Sequence, residues 1–374
     1  MLCLALAAAC SGASQENADV EARPQASSAG VQRERLAEVE RMSVRSLVGQ
    51  MFMISMGSTE PDYYVEKMIR ERNIGGVLLF GYNMESEAQT RALTGALQRL
   101  SMRTEPAIPL FIAVDQEGGE VSSAPWVLPQ PAAARVGARG DPGQAREIAE
   151  QMGGELLRAG VNTDLAPVVD TGSGAAIGTR SYGEDPRLVA KMGAAAVEGF
   201  ESAGVVSAAK HFPNHGPATT DSHASLPVVD HDRETLRSYD LPPFEAAVKA
   251  GVPMVMVGHL LYPAIDAHRP ASLSPEAVKL LRGELGFEGV VVTDDLAMAG
   301  ASGGRSPARA AVEAVEAGAD LLIISSPPQQ QANAYDAVVE AVESGEISRE
   351  RVESSVGRLL QVKEKYSLDK AGVR

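Results

Sequence analysis

The sequence predicts an α/β protein, a single (β/α)8 TIM-type barrel with some irregular strands. Three observations carry that expectation. Eight short apolar or β-branched runs (51–56, 76–80, 110–114, 162–168, 205–209, 254–257, 289–293 and 320–324) recur along the chain, separated by longer stretches, several of helical period. Several of those stretches close on glycine just before the next run, at Ala159-Gly160, Ala203-Gly204, Ala250-Gly251 and Ala317-Gly318. Glycine there supplies the left-handed cap that turns a helix into a strand. No G-x-G-x-x-G follows the first run, which argues against the alternative of a doubly wound sheet.

The helical patterns fill the intervals in order: 87–100, 144–159, 188–203, 236–250, 275–285 and 307–317. A barrel of this kind gathers its chemistry just after the C-terminal ends of its strands. The third strand ends in Asp115-Gln116-Glu117-Gly118-Gly119. The fourth contains Asp164 and ends near Asp170, with Arg180 in the loop beyond. The fifth ends in Lys210-His211, the sixth in Gly258-His259, and the seventh in Thr293-Asp294-Asp295. Charged side chains therefore recur at one rim.

Composition narrows the partners. A formal charge of −15 argues against nucleic acid, whose phosphates need a basic face. Both cysteines, Cys3 and Cys10, stand at the N-terminus, so the body has neither disulfide nor thiol chemistry. Residues 2–9 are apolar and small and lead to Cys10, which resembles the end of a bacterial lipoprotein signal. The basic n-region is missing, and a Sec-type signal with small-residue cleavage is the alternative. The expected organisation is a signal over 1–10 with Cys10 as lipidation site, a disordered tether over 11–35, and a catalytic barrel over 36–374. No later segment approaches the ~18–20 apolar residues of a membrane span. The expected protein is an exported monomer of the bacterial cell envelope, touching membrane only through its lipid.

The densest chemistry lies in Lys210-His211-Phe212-Pro213-Asn214-His215-Gly216 and Asp221-Ser222-His223, which hold three of the chain's six histidines. Asp115, Asp164 and Asp294, with Lys210, Arg180 and His211, form a set able to grip several hydroxyls. Aspartate accepts while lysine and arginine donate, as a sugar ring requires. Asp294 closes the apolar strand Val290-Val291-Val292 and is the candidate nucleophile of a retaining glycosidase. His223 is the candidate proton donor, with Asp221 near enough to orient its ring. Asp295 reads as the cap of a helix starting at Leu296. His259 reads equally as a structural histidine, His215 as loop-shaping, and Gly118 with Gly119 as a tight turn. His231 and His268 receive no role. Zinc held by His211, His215 and His223 with an aspartate is the rival chemistry, though the first strand lacks the H-x-H pair usual in barrel metallohydrolases. No metal and no cofactor is expected.

Taken together, these motifs resemble the family 3 glycoside hydrolases, in particular the single-domain β-N-acetylglucosaminidases acting on peptidoglycan fragments. The resemblance spans about 47–360. It rests on the 210–223 loop, on Asp115-Gln116-Glu117-Gly118-Gly119, on Arg180-Ser181-Tyr182-Gly183-Glu184-Asp185-Pro186, and on Thr293-Asp294-Asp295-Leu296-Ala297-Met298. It implies that Asp294 is the nucleophile and His223, paired with Asp221, the acid/base. Asp115, Arg180, Lys210 and His211 would hold N-acetylglucosamine. Two positions depart from the pattern: Asn214 stands where glycine is usual and Glu120 where arginine is usual. Asparagine tolerates positive φ better than most residues, so that change is expected to be mild; Glu120 reverses a charge near Asp115. Phosphorolysis through the same intermediate, and a non-catalytic barrel that binds wall sugars, remain as alternatives.

Overall fold

The computed structural model describes residues 28–368, apart from Ala175 and Gly303. Its centre is an eight-stranded sheet of parallel pairs. The strands are β1 Phe52–Ser55, β2 Gly76–Leu78, β3 Phe111–Val114, β4 Thr163–Asp164, β5 Val206–Phe212, β6 Met254–Val257, β7 Val290–Thr293 and β8 Leu322–Ile324. They neighbour one another in chain order, and β8 returns to β1 with Phe52 beside Leu322. Between β7 and β8 the ring is joined by the bridge Val292–Leu321 and by the Thr293 N–H on the Leu321 carbonyl at 3.0 Å. The chain thus folds as the expected (β/α)8 barrel.

The apolar runs read as strands because helices cover their outer face while side chains fill the inside, so every residue of β1, β3, β6 and β7 is buried. The covering helices begin at a repeated signal. Asp141-Pro142, Asp185-Pro186, Ser274-Pro275 and Ser306-Pro307 each place a side chain that accepts an N–H of the first turn, followed by proline at the first helical position. Gly204 and Gly318 end their helices in the left-handed conformation, as expected.

The structure departs from the expected elements in several places. The run 162–168 pairs as a strand only at Thr163–Asp164, since Pro167 has no N–H to offer a ladder. The backbone still lies along β5, through Ala208 N–H on the Ala166 carbonyl and Val169 N–H on the Lys210 carbonyl, both 2.8 Å. Strand β5 extends to Phe212, beyond the expected end at 209, and so contains Lys210 and His211. The helix expected at 236–250 divides into a π-helical turn, Leu236–Asp240, and Pro242–Lys249, because two prolines interrupt the donors. At the N-terminus, the helix Ser28–Arg41 overlaps the end of the expected tether 11–35. Cys10 and the signal lie outside the described residues. No helix among the described residues is long and apolar enough to cross a membrane.

Candidate active site

Four charged side chains meet at the C-terminal ends of β3, β4 and β5. Lys210 donates to Asp115 Oδ1 at 2.6 Å and lies 2.7 Å from Glu117 Oε1. Arg180 closes on the same Glu117 with two bonds, Nε to Oε2 at 2.8 Å and Nη2 to Oε1 at 2.7 Å. Two cations thus answer two carboxylates. Burial alone would raise the Glu117 pKa, but Lys210 and Arg180 outweigh it and hold the group at about 2. Burial would lower Lys210, and Asp115 with Glu117 raise it instead. Lys210 and Glu117 are closed off, whereas the side chains of Asp115 and Arg180 keep 27% and 21% of their surface exposed. Asp115 and Arg180 are thus the more open members of the cluster.

Glu117 sits on a short hairpin, Gln116–Gly118 with Val121–Ser122. Gly118 and Gly119 form its turn with φ of 83° and 62°, which accounts for the glycine pair in the motif. Glu120 is exposed at the tip of that hairpin.

His211 is oriented from β4's exit. Its Nδ1–H donates to Asp170 Oδ2 at 2.7 Å, and the backbone N–H groups of His211 and His215 both reach Asp170 Oδ1, at 3.1 and 2.6 Å. Burial would raise the fully buried Asp170, but His211, His215 and these donors bring it below its ordinary value. One buried carboxylate therefore fixes the ring of His211 and the entry to the following loop.

Asp294 follows β7 directly, its N–H donating to the Val257 carbonyl at 3.0 Å. Its Oδ1 accepts the Asp295 N–H at 2.8 Å. Burial pushes its pKa up, while His259, His211, the Asp295 N–H and Lys210 outweigh this and hold it at about 2. A carboxylate there stays ionised at any ordinary pH. Asp295 accepts the N–H groups of Ala297 and Ser325, each at 3.0 Å, so it caps a turn; the helix itself, Ala299–Ser302, starts later than Leu296. His259 is a buried structural histidine: Nε2–H donates to the Asp295 carbonyl at 2.9 Å and the Ser272 hydroxyl reaches Nδ1 at 2.7 Å.

Beyond β5 the loop changes character. Asp221 and His223 are exposed, with His223 Nδ1–H donating to Asp221 Oδ1 at 2.8 Å. Burial pushes the Asp221 carboxyl up, but the backbone and side-chain bonds from His223, with the charges of His223 and His215, together outweigh it and bring the group below its ordinary value. The loop's base is buried. Gly216 is required there because a Cβ would stand 1.9 Å from the Thr171 carbonyl oxygen.

Asn214 corrects an expectation: its φ is not positive. Its side chain is instead a buried fastener, accepting the Thr171 and Gly216 N–H groups at 2.9 and 3.0 Å and donating to Asp240 Oδ1 at 2.8 Å. Asp240 is held in turn by His231 Nδ1–H at 2.8 Å. A histidine without an expected role thus braces the loop's base.

Of the expected site residues, Asp115, Arg180 and Lys210 form one cluster, and Asp221 with His223 form a pair. Lys210 and His211 act on Asp294 electrostatically, both lowering its pKa. Asp164 is a correction. It is fully buried, where it accepts the Gln116 N–H at 3.0 Å, and burial pushes its pKa well above the ordinary value. Sequence reasoning passed over Glu117 and Asp170 as participants. Each had a signal: Glu117 lies two residues from Asp115, and Asp170 closely follows the run 162–168, whose neighbour carries His211. Among the described residues no group of three His, Cys, Asp or Glu side chains is arranged to hold a metal ion.

Residues 43–362 match the glycosyl hydrolase family 3 N terminal domain. The chain is 37% identical over 337 residues to beta-hexosaminidase A of Pseudoalteromonas piscicida, an alignment covering 83% of this chain and 56% of that protein. It is 38% identical over 287 residues to the beta-hexosaminidase of Stenotrophomonas maltophilia, covering 74% and 84%. Among solved structures, a glycoside hydrolase family 3 beta-N-acetylglucosaminidase from Paenibacillus sp. superposes with a TM-score of 0.86 at 42% identity, covering 88% of this chain and 63% of that one. The beta-N-acetylhexosaminidase of Beutenbergia cavernae gives 0.80 at 32% identity, covering 86% and 99%. The chain therefore spans little more than half of the first relative and nearly all of the last. With the barrel, the rim and the match over 43–362 in agreement, the chain belongs to glycosyl hydrolase family 3.

Proposed function

We propose that this chain is a retaining exo-β-N-acetylglucosaminidase that removes terminal N-acetylglucosamine from peptidoglycan-derived or related β-linked oligosaccharides. The observation that carries the reading is the Asp294 carboxylate, set directly after a buried strand, its Oδ1 held by the Asp295 N–H and its pKa brought to about 2 against the effect of burial. That environment suits a nucleophile, which must be ionised, and not an acid, which must keep its proton. The proton then has to come from another group, and His223 with Asp221 is placed on the loop that follows the sugar-gripping strand.

In this mechanism Asp294 attacks the anomeric carbon while protonated His223 gives its Nε2 proton to the departing oxygen. A glycosyl–Asp294 ester forms and the leaving alcohol departs. Neutral His223 then takes a proton from water, which opens the ester and releases the sugar with its original anomeric configuration. Asp221 stabilises the imidazolium of the first step through the Nδ1–H bond. Asp115, Arg180, Lys210 and His211 hold the ring hydroxyls. The relatives named beta-hexosaminidase and beta-N-acetylglucosaminidase support this substrate class. The setting proposed with it is the cell envelope, with the protein exported and anchored through lipid on Cys10; labelled fatty acid lost on Cys10→Ser tests that part.

Product analysis with a disaccharide-peptide and chitobiose side by side tests the function. Release of N-acetylglucosamine as the β-anomer is expected. A sugar 1-phosphate appearing only with added phosphate would replace hydrolysis by phosphorolysis. Binding without turnover would leave a wall-sugar-binding barrel.

A further inference from the structure

We propose that Ser222 is a positioning residue that clips the acid/base loop to the nucleophile's own segment, so that His223 and Asp294 are set in place together. The inference rests on the roles given above to those two residues. Ser222 stands between Asp221 and His223 but is built differently. It is 2% exposed, whereas the side chains on either side are 44% and 71% exposed. Its Oγ lies 3.0 Å from His215 Nε2, and its carbonyl accepts the Gly300 N–H at 2.9 Å.

Each bond leads to a fixed part of the rim. His215 is tied by its backbone N–H to Asp170, the carboxylate that also orients His211. Gly300 belongs to Ala299–Ser302, the helical turn just after Asp294 and Asp295. There is no slack at this contact: a Cβ on Gly300 would stand 2.9 Å from the Ser222 carbonyl oxygen and 3.0 Å from His259 Cβ. His259 in turn holds the Asp295 carbonyl at 2.9 Å. Ser222 thus joins the exit of β4, through His215 and Asp170, to the nucleophile segment, through Gly300. An exposed imidazole held only by Asp221 would otherwise sample many positions, and proton transfer falls steeply when the donor is misplaced by about 1 Å.

The test is Ser222→Ala beside Ser222→Thr, which keeps the hydroxyl, read as kcat/KM on two substrates. Chitobiose has a poor leaving group that needs the proton; N-acetylglucosaminyl fluoride does not. Ser222→Ala is expected to lose about 10–100-fold on chitobiose and no more than about threefold on the fluoride, with threonine restoring most of the loss. An equal loss on both substrates, or none on chitobiose, would overturn the proposal. Amide hydrogen exchange supplies a readout that needs no turnover. The Gly300 N–H should exchange faster in Ser222→Ala, and unchanged protection there would overturn the clip. Wild-type protein that cleaves neither substrate would sink the proposed function, while the exchange result would still decide the clip.

Discussion

Lys210, at the end of β5, is 2% exposed and lies within 2.7 Å of two carboxylates, whereas His223, later in the same segment, is 71% exposed and meets one. The first is a charge that the fold depends on: taken away, it leaves Glu117 buried with only Arg180. The second is a charge that the fold scarcely registers. Binding a sugar ring needs donors and acceptors fixed in advance, which favours burial and multiple partners. Passing a proton to departing groups and then to water needs access from solvent, which favours exposure. Adjacent stretches of one chain are thus built by opposite means because they serve opposite ends of the same reaction.

That contrast can be broken by substitution. Lys210→Met should show the largest effect, since it both opens the sugar grip and strands buried Glu117. A loss of roughly 3–5 kcal/mol in urea unfolding is expected, with activity gone. His223→Ala should unfold within about 0.5 kcal/mol of the wild type, yet lose roughly 10²–10⁴-fold in kcat on chitobiose. A stability loss as large as that of Lys210→Met would erase the distinction. Asp221→Asn keeps the size of the side chain but removes the charge that stabilises the imidazolium, and should cost about tenfold in kcat with stability unchanged. The acid limb gives the mildest effect. Glu117 and Asp294 are both held at about 2, below their ordinary values of 4.5 and 3.8. Their contribution to stability is therefore fully present above about pH 5 and is lost as pH falls from there toward 2. Lys210→Met should flatten that part of the stability curve, and His223→Ala should leave it as it is.

The barrel was legible because the recurring apolar runs, the helical periods between them and the glycine caps all agreed. Asp294, Lys210 and Arg180 were legible because a charge directly after an apolar run, or in the loop beyond it, is poor core material and belongs at the rim. Asp164 misled for the same reason. Its position in a short run looks like a rim residue, and only the three-dimensional depth of β4, shortened by Pro167, shows that it lies beneath the rim. Asn214 misled through its backbone preference, when the buried Asp240–His231 pair that its carboxamide joins comes from residues far along the chain. Ser222 left no sequence signal beyond its place in a motif. Its partners, His215 and Gly300, come together only once the loops after β5 and β7 are folded.

The central claim is that a strand-held Asp294 attacks the sugar while a separate, exposed histidine handles the proton. Covalent trapping tests it most directly. A 5-fluoro-N-acetylglucosaminyl fluoride leaves readily as fluoride but slows release of the glycosyl group, so the ester should accumulate. Digestion and mass spectrometry are expected to find the sugar on the peptide containing Asp294, in the wild type and in His223→Ala alike. A label on another carboxylate, or steady turnover of N-acetylglucosaminyl fluoride by Asp294→Ala at the wild-type rate, would contradict the account.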